Sequence, residues 1–114
     1  LHPIQKFNDN YYLIAREGDT FKTLGKEVEI SWRKLARYNE RDKHTVLHKG
    51  DIIYLKKKRK KAPKQYKKRP HIVQSGESMY SISQRYGIRI KYLYKMNKLD
   101  PSYKARVGDR LRVR

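Results

Sequence analysis

Two stretches of the chain carry the same unusual mix of residue types. Gly18-Asp19-Thr20-Phe21 and Gly76-Glu77-Ser78-Met79 each run glycine, carboxylate, hydroxyl, large apolar residue, and they stand 58 residues apart. A glycine turn exposes backbone N–H and C=O groups. A hydroxyl or carboxylate just before a helix takes up some of the N–H groups that the first turn leaves without partners. The chemistry on offer is hydrogen bonding from the main chain, not acid–base or nucleophilic work.

Other groupings are weaker. Glu27 with Glu29, or Asp42 with Asp51, could be pictured as the acid and base of glycoside cleavage. Nothing in the pattern buries them, and the surrounding lysines and arginines lower a carboxylate pKa instead of raising it. His44 and His48 are four apart but fall in a polar loop with no third ligand, so a metal site is not expected. The chain has no cysteine, which removes disulfides and thiolate ligands. No catalytic residue, metal or cofactor is expected.

The same offset of 58 pairs Ile14 with Ile72, Ile30 with Ile88, Leu35 with Leu93 and Asn39 with Asn97. It also pairs Asp42 with Asp100, Gly50 with Gly108 and Asp51 with Asp109, giving eight identities over 44 gapless positions. Sparse identity in perfect register indicates two copies of one structural unit. Each copy reads strand, helix, helix, strand. In the first, Tyr11–Ala15 is a strand. Asp19 or Thr20 caps a helix whose inner face is Phe21, Leu24 and Val28. Ser31 caps a second helix, Asn39 ends it, and Ile52–Leu55 is the closing strand. In the second, the strand His71–Val73 precedes a cap at Ser78 and a helix face of Met79, Ile82 and Tyr86. The second helix, with Leu93 inward, ends at Asn97, and Arg110–Val113 closes the unit. Arg89 stands where Ser31 caps the first copy, so that helix start should be weaker. The fold class is α+β: two βααβ units, each a two-stranded antiparallel sheet with two helices on one face.

The net charge is +19 over 114 residues. Its distribution is uneven: +2 on residues 13–55, +10 on residues 56–70, +7 on residues 71–114 and zero on residues 1–12. The expected division is an N-terminal tail or connection over residues 1–10, a first unit over 11–56, a basic linker over 57–69 and a second unit over 70–114. The linker should be extended and solvated, stiffened by self-repulsion and by Pro63 and Pro70. It could reach ~45 Å and attract anionic envelope polymers. Because the chain opens on Leu1 and not on Met, it is expected to be part of something longer.

These residues resemble a known family, the lysin motif or LysM, a peptidoglycan- and chitin-binding module. The second copy is similar to its pattern through His71-Ile72-Val73-Gln74-Ser75-Gly76-Glu77-Ser78, Arg85-Tyr86-Gly87-Ile88, Met96-Asn97-Lys98-Leu99 and Val107-Gly108-Asp109-Arg110-Leu111. The first is similar by register, with Val28-Glu29-Ile30 at the turn and Tyr38-Asn39-Glu40-Arg41 at the helix end. The resemblance implies a βααβ fold and a shallow groove for glycans containing N-acetylglucosamine. One wall of the groove would be Gly18, Asp19, Thr20 and Phe21, or Gly76, Glu77, Ser78 and Met79. The other would be Asn39, Glu40, Arg41 and Asp42, or Asn97, Lys98, Leu99 and Asp100. Arg41 stands where the family usually has an apolar residue. A pair of such modules resembles the C-terminal tail of an exported bacterial glucosaminidase, a cell-wall hydrolase. The implied function is non-catalytic targeting of an attached enzyme to the wall, in an extracytoplasmic location and without spanning a membrane. An acetylated sugar suits such loops, since its amide and hydroxyls need exposed backbone groups and small apolar contacts. The competing reading is a basic protein that binds nucleic acid or another polyanion. No nucleic-acid motif is visible and the aromatics do not interleave with the basic run, so no specific nucleic acid is expected.

Overall fold

The computed structural model describes all residues, 1–114. Contacts divide the chain into two compact units, Leu1–Lys58 and Arg59–Arg114. The first contains strands β1 (Gln5–Phe7) and β2 (Asn10–Ile14), helices α1 (Phe21–Val28) and α2 (Trp32–Tyr38), and strand β3 (Ile52–Tyr54). The second contains β4 (His71–Ile72), α3 (Met79–Tyr86), α4 (Ile90–Met96) and β5 (Arg110–Leu111), preceded by one turn of 3-10 helix at Lys64–Tyr66. β2 pairs antiparallel with β3, and β4 with β5. The βααβ order and α+β class are therefore present twice, with strand ends a residue or two short of the sequence expectation.

The helices begin where the hydroxyls stand. Thr20 accepts from Thr23 N–H at 3.0 Å, and the Thr23 hydroxyl accepts in turn from Thr20 N–H. Ser78 and Ser81 repeat this reciprocal cap on α3, which satisfies two otherwise orphaned donors. Ser31 caps α2, whereas Arg89 gives α4 no side-chain cap, as expected from its chemistry. Both first helices stop in a left-handed residue, Glu29 (φ 58) and Gly87 (φ 66). The apolar faces close one core per unit. Leu13, Phe21, Leu24, Leu35 and Ile53 fill the first. Val73, Met79, Ile82, Ile88, Leu93, Leu111 and Val113 fill the second.

Two expectations are corrected. Residues 1–10 are not a tail. Gln5–Phe7 pairs with β2, and Asn8 and Asp9, both with positive φ, form the two-residue turn between them. That turn geometry favours Asn and Asp, so the polar cluster that suggests a connection is in fact a hairpin tip. Residues 57–69 are not an extended, solvated linker. Lys58 is 2 % exposed and Ala62 is fully buried in the second core. Arg59 exchanges backbone hydrogen bonds with Gly87 and Arg89, and Ala62 N–H donates to Val113 O at 2.8 Å. Tyr66 sets its ring edge against Tyr86. Backbone pairing and two well-spaced side chains suffice to dock the run, while most of its cationic heads remain in water, as long basic side chains permit.

Two substitutions test this packing. Ala62→Asp should destabilise the second unit by about 3 kcal/mol or more, since it buries an unpaired charge. Lys68→Asp, on an exposed residue, should change stability by about 0.5 kcal/mol at most. Urea denaturation followed at amides of each unit by NMR distinguishes the two outcomes. At Gly25 an added Cβ would lie 2.5 Å from Ile30 O. Gly25→Ala should therefore cost the first unit about 1–3 kcal/mol in the same assay, despite alanine's helix propensity.

Candidate glycan-binding site

The first loop of each unit leaves its strand, turns at a glycine and enters a helix. Gly18 has φ 85 and Gly76 φ 83, and a Cβ on either would meet nothing within 4 Å. Both turns are open to solvent, and any side chain there would strain the backbone. Thr20 and Ser78 are exposed at the helix starts. With Thr23 and Ser81 N–H already capped, the N–H groups of the first helical residues have no i−4 carbonyl to donate to.

The carboxylates in these loops are tied down. Asp19 accepts from Arg16 N–H at 2.6 Å, and Glu77 from Gln74 N–H at 2.7 Å. Each also meets a histidine, but from unrelated places in the sequence. His2 Nε2 lies 2.7 Å from Asp19, and His71 Nε2 2.8 Å from Glu77. By register the partner of His71 is Leu13, so the first unit draws its imidazole from the N-terminal segment. The other nitrogens differ too. His2 Nδ1 faces Glu27 at 2.8 Å, while His71 Nδ1 faces the Tyr86 hydroxyl at 2.7 Å. Only a doubly protonated ring has an N–H for both carboxylates around His2, whereas neutral His71 satisfies both of its partners.

Burial alone pushes the Asp19 and Glu77 carboxyls up. The backbone N–H bonds, the histidines and a nearby arginine outweigh it, so both are held below their ordinary values of 3.8 and 4.5. Glu27 is lowered chiefly by the backbone N–H of His2.

The second loop joins the second helix to the last strand. Asn39 is fully buried: its amide N–H groups donate to Leu35 O and Tyr54 O, both at 2.9 Å, and its oxygen accepts from Tyr54 N–H at 2.7 Å. Asn97 makes the same three bonds with Leu93 O, Arg112 O and Arg112 N–H. Glu40 and Lys98 follow with left-handed φ of 55 and 53. Asp42 and Asp100 then accept the N–H two residues on, closing an Asx-turn in each copy. At the loop's far end Asp51 and Asp109 accept from His48 and Arg106 N–H, and at the base of the first loop Gly50 N–H donates to Ala15 O while Ala15 N–H donates to Asp51 O.

The sixteen wall residues are thus unequal. Phe21, Met79 and Asn39 are buried, and Asn39 and the half-buried Asn97 spend their amides holding strand to helix. Glu40, Arg41 and Asp42 share an open concavity with Arg33, Arg37 and Lys43. Asn97 and Leu99 share a smaller cleft with Tyr103, Arg106 and Asp109. Neither hollow includes the Gly18 or Gly76 turn. The sequence reading missed Lys58, whose buried Nζ lies 2.6 Å from Glu40, and His2. The lone lysine had no counterpart in the repeat to draw notice. His44, one of the two histidines four apart, sets its ring against Trp32.

A family model for the LysM domain matches residues 13–56 and 71–114. The chain belongs to the LysM family. LysM domains are peptidoglycan- and N-acetylglucosamine-binding modules, not catalytic domains, and are typical of cell-wall-associated or extracytoplasmic proteins. Among solved structures the chain is similar to the Bacillus cereus spore cortex-lytic enzyme SleL, at 24% identity and TM-score 0.38, covering 97% of this chain and 22% of that one. It is similar also to SleL of Bacillus megaterium QM B1551, at 15% identity and TM-score 0.36, covering 90% of this chain and 22% of that one. The chain therefore spans about a fifth of the length of those proteins. A search of curated proteins returned no match. No helix is long and apolar enough to cross a membrane.

The carboxylate ties predict a pH response. Because the folded pKa values are depressed, their stabilisation is present above the ordinary carboxylate values and is lost as pH falls through the lower folded ones. Acidification below pH 4.5 should therefore shift the Gln74 amide resonance and lower the thermal midpoint. Glu77→Gln should abolish the Gln74 titration and reduce the acid sensitivity of the second unit.

Proposed function

We propose that the chain is a non-catalytic anchor: both LysM units bind N-acetylglucosamine-containing glycan, with peptidoglycan as the physiological ligand. Their role is to hold an attached wall-lytic enzyme or other exported protein at the cell wall, outside the cytoplasm. The observation that carries this reading is the twice-built first loop. In each copy an open glycine turn leads into a capped helix, beside the exposed hydroxyls of Thr20 and Ser78. That is a set of neutral donors and acceptors on a rigid base, the kind of surface an acetamide and ring hydroxyls can use. The second loop, opened by a left-handed residue and fixed by the asparagine, supplies the other wall. The contacts come mainly from backbone atoms of residues 18–20 and 40–42, and of 76–78 and 98–100. Affinity per unit is modest, and two units on one polymer raise it.

Pull-down on insoluble peptidoglycan and on chitin in about 0.5 M NaCl tests the reading, because charge-driven association fades there. Retention on glycan is expected. Retention on DNA with none on glycan would replace it with the polyanion reading. Gly76→Val, which forces a branched side chain into φ 83, should weaken retention more than Gly18→Val does, because Arg41 replaces an apolar contact in the first unit. Equal losses would contradict that ranking.

A further inference from the structure

The residue after the left-handed position is Arg41 in one unit and Leu99 in the other. Leu99 is partly buried and packs on the second core, whereas Arg41 is exposed. Arg41 shares its concavity with Arg33, Arg37 and Lys43, together with Glu40 and Asp42. Arg33 and Arg37 are four apart on α2 and so lie on one face, with Arg41 continuing from the helix end. Of the two acids, Asp42 offsets only one of these four cations. Glu40 is matched by Lys58 Nζ at 2.6 Å, from a side chain with no exposure. Asp42 spends an oxygen on His44 N–H. A concave surface lined by an excess of one charge focuses its field on an incoming ion.

The second unit differs in kind at the same positions. Tyr94, Leu99 and Pro101 replace Ala36, Arg41 and Lys43, and the remaining cations are lysines at 91, 95 and 98. A lysine is a hydrated point charge, while a guanidinium is a planar fork that matches a carboxylate through two hydrogen bonds.

We infer that the first unit selects glycan that bears carboxylates, an amino-sugar strand in which acidic residues alternate with neutral N-acetylglucosamine, while the second unit takes neutral stretches. This rests on the reading of the second loop as a sugar-binding wall. Arg41 meets the carboxylate, Arg33 and Arg37 set the field, and Lys58 is a positioning residue that neutralises Glu40 and holds it away from the ligand. The carboxylate can come from a lactyl ether on the sugar or from a peptide stem, since both offer the same planar anion.

Amide NMR of the full chain at about 0.15 M NaCl separates the cases, because each loop reports on itself. The probes are chitohexaose, an oligosaccharide alternating N-acetylglucosamine with unsubstituted N-acetylmuramic acid, and that oligosaccharide with stem peptides. The amides of residues 41–43 should report about threefold to fivefold tighter binding of a carboxylate-bearing probe than of chitohexaose, the scale of an exposed ion pair. Those of residues 99–102 should report no preference. Arg41→Leu should erase the preference, Arg41→Lys should keep part of it, and Leu99→Arg should create it in the second unit. A preference seen with the unsubstituted strand assigns the lactyl group, and one seen only with stems assigns the peptide. Equal affinity for all probes at residues 41–43, or a preference that survives Arg41→Leu, overturns the inference. Polyglutamate producing the same shifts at the same salt also overturns it. If no sugar moves either loop, the sugar-binding reading itself fails, which is a different result.

Discussion

The structure of each unit depends on one side-chain amide, fully buried as Asn39 and half-buried as Asn97. Asn39 and Asn97 sit where a helix has just ended and its last carbonyls need donors, and where the closing strand passes with a free N–H and C=O. A carboxamide can serve both at once, giving two N–H groups and taking one. No other uncharged side chain of that length offers the same set, and a buried polar group with every bond made is rigid where a half-satisfied one is costly. These three bonds fix the second helix against the last strand, and with it the start of the second loop. The left-handed residue that follows, and the Asx-turn after it, inherit their positions from that clamp.

The repeat made this partly legible. Seven of the eight identities at the 58-residue offset fall on positions with a definable task or a hydrophobic place, the exception being Ile14 with Ile72, both exposed. Leu35 and Leu93 are core, the four glycines hold positive φ, the asparagines clamp, and Asp42, Asp51 and their partners close turns. Identity survived where geometry leaves no alternative. Identity alone does not separate a ligand contact from an internal bond, since Asn39 and Asn97 spend their amides within their own units. A backbone group exposed at a turn leaves no trace in residue type beyond the glycine that exposes it.

The parts that were not legible share a cause. The basic run and the N-terminal residues have no apolar period, and composition alone gives +10 for residues 56–70. Charge density argues against collapse only when the charges themselves must be buried. Here one alanine and one tyrosine make the apolar contacts, backbone bonds to Gly87, Arg89 and Val113 hold the register, and only Lys58 is taken inside, where Glu40 meets it. Buried charge was tolerable once and with a partner. The hairpin tip at Asn8-Asp9 was misread because the same residues that loosen a connection also tighten a two-residue turn.

The two histidines show what the ancestral duplication handed down. The acceptor was kept, as Asp19 and Glu77 in corresponding turns, but the imidazole that grips it enters from strand β4 in one unit and from the chain's second residue in the other. The heirloom was a vacancy, filled separately by whichever segment ran nearby. An excision at residue 13, where the repeat begins by sequence, would amputate the first unit's grip and its outer strand together, while an excision at residue 71 would spare the second unit's histidine yet strip Ala62 from its interior. The repeat unit as counted in letters is therefore smaller, at both joints, than the body that stands by itself.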